Sequence, residues 1–422
     1  MNESTVQLKE GKTLPDGWGW VRLGDVCMIN PSRPNGFTRL PDAPTTFAPM
    51  AAVDGNLGVI SKPESRSYSE VSKGYTYFGE ADVLFAKITP CMQNGKHAIA
   101  RNLLDGVGFG STEFHVIRPS ALILPEWIHF FIRQPFFLQE AASYFVGAVG
   151  QQRVPESFLA NYGIPLPPLP EQKRIATKVQ ELTKDVQRAR LACEAQLEAA
   201  RALPQAYLRQ VFESEEAKKW ERGRLGQVCD GDSGVWGDIP DNSQNCYVVL
   251  RSNNIQEGLI VLDDLSIRKV IDPNVVEAKS LRTGDILVTT SSGSKNLLGK
   301  SALFVQPLDG KKYLFSNFTM RLRPNTQAIE PTFLYFYLRS PQAKQVLMLL
   351  QDTTTGLRNL DRKEFIAQTI PVPTLAKQEQ IAAELRGKIA SAEKLKESIE
   401  KQLESIKALP QAILRKAFRG EL

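Results

Sequence analysis

The chain has 422 residues, 42% apolar and 23% charged, which is the composition of an ordinary globular protein with room for two or three domains. Its net charge of +6 is compatible with an anionic partner, but the basic residues are spread along the chain and support nucleic-acid binding only weakly. A secreted, membrane-spanning or zinc-binding protein is not expected, because the start lacks a signal-peptide pattern, charges and prolines interrupt the most apolar run, and the five cysteines form no C-x-x-C pair.

The first predicted domain, residues 1–163, mixes β-type runs such as "ADVLFAKI" with helical stretches such as "PEWIHFFIRQPFFLQEAASYF", separated by glycine and asparagine turns. A polar loop follows the strand at "ADVLFAKI", and "GQQRV" places an arginine soon after a glycine. These are the side-chain types that contact base edges or phosphates. The candidates for DNA contact in this domain are Lys87, Thr89, Gln93, Asn94, Lys96, Gln152 and Arg153. The alternatives are a solvated polar loop and an arginine that caps a local turn.

Residues 164–219 are predicted to form a proline-rich connector and a long spacer helix. The prolines of "IPLPPLP" fix φ, so this connector is expected to be stiff and extended, a linker and not a proline-rich ligand. Apolar residues then recur at steps of four and three, which is the pattern of a coiled-coil seam. This seam is predicted to contain Ile175, Val179, Leu182 and Val186, followed by Ala189 and Cys193, with Gln196 as a polar break.

The second predicted domain, residues 220–369, resembles the first in pattern, and residues 370–422 are predicted to form a second connector and the C-terminal spacer helix. The candidates for DNA contact here are Thr290, Ser291, Ser292, Lys295, Lys300, Arg358 and Asn359. The second seam is predicted to contain Ile381, Leu385, Ala392, Leu395 and Ile399, with Lys388 and Gln402 as polar breaks.

An internal repeat organises these elements. "IPLPPLPEQKRIA" from Ile164 matches "IPVPTLAKQEQIA" from Ile370 at an offset of 206, and "RLGDVC" from Arg22 matches "RLGQVC" from Arg224 at 202. We therefore predict an α+β fold with two similar globular domains. The matched helices are expected to pair antiparallel as a coiled coil, because the first leaves domain one and the second must return from domain two. A helix from residue 175 to 207 would hold the domains about 50 Å apart, the length of about 14 base pairs.

The pentapeptide "ALPQA" occurs twice, at Ala202 and at Ala408, near the end of each predicted helix. A proline inside a helix costs about 3 kcal/mol, so each copy is expected to end the long helix and begin a short final one.

No complete catalytic motif is found in the sequence. "GSKNLLGKS", from Gly293, differs from a phosphate loop by having five residues between its glycines where that loop has four, so a glycine-rich turn near DNA is preferred over a nucleotide site. His97, His115 and His129 lack metal-ligand spacing, and no adenine-methyltransferase or dinucleotide-binding motif is present. The chain is predicted to be non-catalytic, with no metal and no cofactor of its own.

The order of these segments resembles the DNA-specificity subunit of type I restriction-modification systems. The resemblance covers nearly the whole chain and includes "LPDGWGWVRLGDV", "ADVLFAKITPCMQNGK", "GSTEFHVIRP" and "LRKAFRGEL". It implies that two target-recognition domains bind the halves of a split, asymmetric DNA sequence while the helices set the spacer. It also implies a complex with two methylation subunits, which use S-adenosylmethionine, and two restriction subunits, which use ATP and magnesium. The odd number of cysteines, without a C-x-x-C pair, separately favours a reducing, cytoplasmic location.

Two other hypotheses stay open at this point. The first is a two-headed adaptor whose coiled coil spaces protein-binding domains without nucleic acid. The second is a stand-alone methyltransferase or nuclease, which the missing motifs disfavour.

Overall fold

The structure, a computed structural model, describes residues 14–55, 57–148, 151–238, 246–256, 258–262, 267–292, 298–354 and 357–422. The chain divides into two compact units. Unit 1 contains the residues up to Cys193 together with Gln402–Leu422, and unit 2 is Glu194–Lys401. None of the helices in the described ranges has both the length and the apolar character that crossing a membrane requires.

Unit 1 is built from short strands and helices that alternate along the chain. Its strands are β1 (Gly19–Arg22), β2 (Cys27–Ile29), β3 (Pro44–Ala48), β4 (Val53–Asp54), β5 (Val59–Ile60), β6 (Glu64–Ser67), β7 (Thr76–Gly79), β8 (Val83–Ala86), β9 (His97–Ile99), β10 (Val107–Gly110), β11 (Phe114–Pro119) and β12 (Gly163–Leu166). Its helices are α1 (Leu23–Val26), α2 (Tyr68–Val71), α3 (Pro125–Ile132), α4 (Pro135–Ser143) and α5 (Glu156–Asn161), and α6 (Leu169–Phe212) begins in this unit.

Unit 2 has the same kinds of element in nearly the same order. Its strands are β13 (Arg222–Arg224), β14 (Cys229–Ser233), β15 (Cys246–Leu250), β16 (Ile255–Gln256), β17 (Leu259–Ile260), β18 (Ile267–Val270), β19 (Ile286–Thr289), β20 (Ser291–Ser292), β21 (Ser301–Leu303), β22 (Tyr313–Phe315), β23 (Thr319–Pro324), β24 (Gln351–Thr354), β25 (Leu357–Leu360) and β26 (Thr369–Pro371). Its helices are α7 (Leu225–Val228), α8 (Pro273–Lys279), α9 (Pro331–Arg339), α10 (Pro341–Leu349) and α11 (Arg362–Ala367), with α12 (Leu375–Ala417) after them.

The sheets of the two units have matching topology. The order β2-β11-β8-β9 in unit 1 corresponds to β14-β23-β19-β21 in unit 2, and β6-β3-β10 corresponds to β18-β15-β22. In both units the second of these sheets contains one parallel pair, β3 with β10 and β15 with β22. The first and last strands of each domain also pair, β1 with β12 and β13 with β26. The repeat in the sequence is therefore a repeat of the fold, and the α+β prediction is confirmed.

The long helices pack antiparallel within each unit. In unit 1 the start of α6, at Ile175, shares a buried core with the end of α12, at Leu414. In unit 2 the end of α6, at Leu208, shares a core with the start of α12, at Leu385. Rising numbers on one helix thus meet falling numbers on the other, as the sequence predicts.

Most of the predicted seam positions face this packing. Ile175, Val179, Ile381, Leu385 and Ile399 are at most 7% exposed. Leu182 and Val186 are half-buried.

Some positions in the later part of each seam differ from the prediction. The side chain of Leu395 is 47% exposed, and the predicted heptad residues Ala189 and Gln196 are exposed while Leu197 is buried. An undistorted helix drifts by about 20° per heptad from a strict seven-residue repeat, so extrapolated positions move off the buried face.

The "ALPQA" prolines do not end the helices, and that prediction is wrong. Pro204 lies inside α6 and Pro410 lies inside α12, and both helices continue for several residues beyond them. Buried residues lie on each side of each proline, Ala200 and Leu208 in α6 and Leu403 and Leu414 in α12. Packing on both sides offsets the roughly 3 kcal/mol that an internal proline costs.

A buried glutamine fixes the start of each long helix. The side chain of Gln172 donates to the carbonyls of Leu122 and Pro167 at 3.0 and 2.8 Å and accepts from the Leu124 N–H at 2.8 Å. Gln378 makes the corresponding three bonds in unit 2, with Ala328, Pro373 and Glu330. Both glutamines are fully buried. The repeated glutamine in "LPEQ" and "LAKQ" is therefore structural.

Replacing Gln172 with alanine is expected to lower the free energy of unfolding by about 2–3 kcal/mol, because buried backbone groups lose their partners. Denaturant titration measures this loss. The control is Gln180→Ala at an exposed position of the same helix, which is expected to change stability by less than about 0.5 kcal/mol. Equal effects of the two changes would contradict the structural role of Gln172.

Candidate nucleic-acid interface

Backbone pairing in unit 1 gathers several of the predicted contact residues after β8. The Lys87 N–H donates to the Glu113 carbonyl and the Val154 N–H donates to the Lys87 carbonyl, both at 2.9 Å. The Thr89 N–H donates to the Gln152 carbonyl at 3.0 Å. Three segments that are distant in sequence therefore meet at one edge of the sheet. We call Lys87, Thr89, Glu113, Gln152 and Arg153 cluster 1.

Arg153 and Glu113 form a two-bond ion pair in cluster 1. The Arg153 Nε and Nη2 atoms donate to the two carboxylate oxygens at 2.8 and 2.7 Å, and Nη1 donates to the Gln151 carbonyl at 3.0 Å. The hydrogen bond from Arg153 lowers the pKa of Glu113, so the pair is ionised at neutral pH. Two of the five guanidinium N–H groups take no part in these bonds, and the Arg153 side chain is 40% exposed. This arginine is held ready to donate to a phosphate or a base edge.

A second network, of hydrogen bonds around His115, supports the backbone of cluster 1. The ring nitrogens of His115 contact the Val154 carbonyl at 2.8 Å and the Asn30 amide at 3.0 Å, and Asn30 donates to Glu156 at 2.7 Å. Burial lowers the pKa of His115 and of Lys87. Val154 follows Arg153 directly, so this network fixes the segment that carries the arginine.

Three further candidates lie on the loop that ends at β9. The side chains of Gln93 and Asn94 are exposed, and Thr89 Oγ1 donates to Gln93 Oε1 at 3.1 Å. The Lys96 ammonium donates to the carbonyls of Met50 and Val53 at 3.0 and 3.2 Å. Lys96 therefore holds the loop in place and is less available to a phosphate than Gln93 or Asn94.

The candidates of unit 2 meet at the equivalent edge. Thr290 and Ser291 donate their N–H groups to the Phe318 carbonyl at 2.9 and 3.3 Å, and the Leu360 N–H donates to the Thr290 carbonyl at 2.9 Å. Ser291 lies opposite Asn359 in the pairing of β20 with β25, and its hydroxyl donates to Asn359 Oδ1 at 2.7 Å. We call Thr290, Ser291, Phe318, Asn359 and Arg362 cluster 2.

The other unit 2 candidates differ in where they lie and in what they contact. Ser292 lies opposite Arg358 in the same pairing, and Lys295 lies outside the described residues. The Thr290 side chain is buried and accepts from Arg362 Nη2 at 3.2 Å. Lys300 immediately precedes β21, so "GSKNLLGKS" leads into a strand, whereas a phosphate loop opens a helix. This arrangement further disfavours a nucleotide site there.

The two clusters share a framework but differ in the residues they present. Glu113 and Phe318 each precede the first residue of the equivalent strands β11 and β23. Arg153 corresponds to Asn359 at the repeat offset of 206. At the opposite ends of the same strands a bidentate ion pair recurs, Arg118 with Asp82 in unit 1 and Arg323 with Asp285 in unit 2. The same scaffold therefore carries an ion pair in unit 1 and an aromatic and amide surface in unit 2.

The sequence alone did not single out Glu113, Phe318 or Arg362. The available indication was their position in the sequence. Each of these residues is next to a segment that lies in a cluster, and the equivalent segment of the other unit also lies in a cluster. Within the described part of the chain, no three His, Cys, Asp or Glu side chains lie close enough together to hold a metal ion.

Two buried histidines in unit 1 make stability depend on pH. His97 stacks on Phe85 with ring centroids 4.4 Å apart, and its backbone carbonyl contacts His129 Nε2 at 3.2 Å. Burial, together with the nearby Arg133, lowers the pKa of His129 to about 3. Burial also lowers the pKa of His97 well below its usual value, with smaller contributions from His129 and Arg133. Both rings are therefore neutral in the folded chain at neutral pH.

We expect unfolding to become easier as the pH falls below about 6.5. The unfolded chain then binds protons on both histidines while the folded chain excludes them, which costs up to about 1.4 kcal/mol per pH unit for each ring. Urea titrations between pH 7 and pH 5 measure the slope, and His97→Phe is expected to reduce it while keeping the stack on Phe85. An unchanged slope in that variant would contradict this assignment.

Comparisons with known proteins agree with this architecture. A family model described as "Type I restriction modification DNA specificity domain" matches residues 15–196 and again residues 217–405. The specificity subunit of the type I restriction enzyme EcoEI from Escherichia coli is 39% identical over 170 residues, which are 40% of this chain and 28% of that protein. The EcoKI specificity subunit from Escherichia coli strain K12 is 26% identical over 322 residues, or 73% of this chain and 68% of that protein. The chain thus spans little more than a quarter of the first of these relatives.

Two solved structures are similar over almost the full chain. One comes from work titled as the structural basis of complex assembly and conformational transition of the type I R-M system; it has a TM-score of 0.75 and 26% identity and covers 97% of this chain and 100% of that one. The other is an HsdS subunit from Thermoanaerobacter tengcongensis, with a TM-score of 0.70 and 25% identity, covering 99% of this chain and 100% of that one.

Proposed function

This chain belongs to the type I restriction-modification DNA specificity family, and from that premise we propose that it is the subunit that binds a two-part, asymmetric DNA site. In this proposal cluster 1 contacts one half of the site and cluster 2 contacts the other. The chain itself carries out no reaction and confers sequence specificity on its partners.

The pair of clusters is the observation that carries this proposal. Each lies at the same edge of an equivalent sheet, and each combines polar side chains that suit base edges or phosphates. The residues presented differ, with Glu113 and Arg153 in unit 1 where Phe318 and Asn359 stand in unit 2. A shared scaffold with different contact residues is what an asymmetric target requires, since two identical surfaces would favour a palindrome.

The repeat also supports the proposed partners. Two similar units on one chain offer two similar docking faces, which suits two copies of a methylation subunit and, in the full complex, two restriction subunits. S-adenosylmethionine, ATP and magnesium would be bound by those partners and not by this chain. We place this complex in the cytoplasm, where chromosomal DNA is accessible to it.

The long helices are proposed to set the gap between the half-sites. α6 and α12 have 44 and 43 residues, and at about 1.5 Å per residue each is about 65 Å long. Each helix has residues in both units, and this continuity supports the proposed spacer role.

Footprinting of the chain in complex with its methylation subunits tests the proposal. We expect two protected segments separated by an unprotected gap, and we expect scrambling either segment to lower affinity toward the non-specific level. Affinity should also fall steeply with salt, because phosphate contacts release counterions. Binding that ignores sequence would contradict the proposal, and affinity for duplex without salt dependence would favour the protein adaptor.

Replacing Arg153 with alanine sharpens this test. Discrimination among variants of the first half-site is expected to fall by about tenfold, while discrimination among variants of the second half-site is unchanged. Arg188→Ala, at an exposed position of α6, is the matched control and should alter neither. Loss of discrimination at both halves, or at neither, would argue against the assignment of cluster 1.

A further inference from the structure

Unit 2 exposes two large aromatic side chains that contact each other beside cluster 2. Trp236 is 69% exposed and Phe318 is 40% exposed. Their ring centroids are 5.5 Å apart and the ring planes are inclined at 71°, an edge-to-face arrangement. An exposed pair of this size is unusual on a protein surface unless something binds to it.

Backbone contacts hold this pair in position. The Val235 N–H donates to the Phe315 carbonyl at 2.8 Å, and the Asn317 N–H donates to the Val235 carbonyl at 3.1 Å. A Cβ atom at Gly234 would lie 2.2 Å from that Phe315 oxygen, so only glycine permits the two segments to approach this closely. The aromatic side chains are therefore carried by paired backbone, and little conformational freedom remains to be lost when a ligand binds.

The pair is continuous with the polar part of cluster 2. The Phe318 carbonyl accepts the N–H groups of Thr290 and Ser291, and Ser291 contacts Asn359. Next along the chain, the ammonium group of Lys269 donates to the Gly237 carbonyl at 3.0 Å, so a positive charge lies at the backbone directly after Trp236. An apolar patch that is continuous with hydrogen-bonding groups matches the edge of a base pair better than it matches an apolar protein surface.

We propose that Trp236 and Phe318 contact the C5-methyl group of a thymine in the second half-site. This inference rests on the proposed function. Thymine carries the apolar group that the major groove displays, while the other bases display donors and acceptors there. In unit 1 the charged Glu113 occupies the position of Phe318, so the first half-site is recognised without this apolar surface.

The test is a double-mutant cycle, in which the methyl group is removed from the DNA and the aromatic rings are removed from the protein, separately and together. The chain with its methylation subunits is titrated with duplexes in which each thymine of the second half-site is replaced by deoxyuridine. At one position the native chain is expected to bind uracil about fourfold more weakly than thymine, since one buried methyl group is worth about 0.8 kcal/mol. Phe318→Ala and Trp236→Ala should bind both duplexes about equally.

A matched control separates this effect from a general loss of apolar surface. Leu308 is fully exposed in the loop between β21 and β22, and Leu308→Ala should keep the native preference for thymine. The inference is overturned if no substitution by deoxyuridine weakens the native chain, if both aromatic variants keep its preference, or if the second half-site contains no thymine. An increase in the fluorescence of a 2-aminopurine paired with that thymine would indicate that the base pair is unstacked and would also overturn the inference. If the native chain binds a scrambled duplex as well as the site, the proposed function fails and the inference fails with it.

Discussion

Replacing Arg118 with alanine is expected to lower the free energy of unfolding by about 3–5 kcal/mol, the usual cost of leaving a buried charge without its partner. Asp82 is 1% exposed, and its two oxygens accept from Arg118 Nε and Nη2 at 2.8 and 2.7 Å. The Gly79 N–H also donates to this carboxylate at 2.7 Å, but a single neutral donor does not balance a buried negative charge. Denaturant titration at pH 7 measures the loss.

Because of the internal repeat, the same experiment can be done on the equivalent ion pair of unit 2. Asp285 is 2% exposed and is bound by Arg323 at 2.8 and 2.7 Å, so Arg323→Ala should cost a similar amount in unit 2. Hydrogen exchange should show lost protection first at β8 and β11 for Arg118→Ala and first at β19 and β23 for Arg323→Ala. Arg188, which is 79% exposed and paired with Asp185, is the control, and its replacement should cost less than about 1 kcal/mol. A cost as small as this control's for Arg118→Ala would contradict the structural role of the pair.

Much of the fold followed from the repeat. A fixed offset over long stretches predicted two similar domains, and the matching sheet topologies confirm this. The direction of the helices followed from connectivity alone, because a chain that leaves one domain and returns must run antiparallel. These features depend on order along the chain, which a sequence displays directly.

The details of the helices depend on packing and were harder to predict. Whether Pro204 ends α6 depends on whether Ala200 and Leu208 are both buried, and that depends on residues of α12 far along the chain. The exposure of Leu395 has a similar origin, since Lys396, with a side chain only 22% exposed, lies closer to the buried face. A periodic pattern gives the average direction of a face but not its drift over several turns.

The contact clusters were likewise predicted only in part from the sequence. The sequence predicted polar loops after β8 and β19, and the described first residues of these loops, Lys87 and Thr89 in unit 1 and Thr290 and Ser291 in unit 2, belong to the clusters. It did not predict the partners of those loops, because Glu113 meets Arg153 and Phe318 meets Trp236 through strand pairing between distant segments. Nor did it predict the carbonyl partners of Lys96, which come from a segment more than forty positions earlier.

Lengthening both long helices by four residues is expected to move the preferred DNA gap by one to two base pairs. The insertions are placed between Cys193 and Glu194 in α6 and between Lys401 and Gln402 in α12, where the chain divides between the units. Four residues add about 6 Å of helix and turn it about 40° beyond a full turn. One base pair adds about 3.4 Å and turns the duplex by about 34°. The helix insertion and a longer DNA gap therefore both increase the distance and both add a rotation in the same sense.

At the original gap, the lengthened complex should bind about a thousandfold more weakly, near the non-specific level, because only one half-site can be engaged at a time. Binding to duplexes with gaps changed one base pair at a time measures both the loss and its recovery. The matched control is a seven-residue insertion at the same two points, which adds about 10.5 Å but almost no rotation. Three added base pairs would match that length yet turn the duplex by about 100°, so no gap should restore full affinity. If both insertions leave the preferred gap unchanged in complexes that still assemble, the helices do not set it.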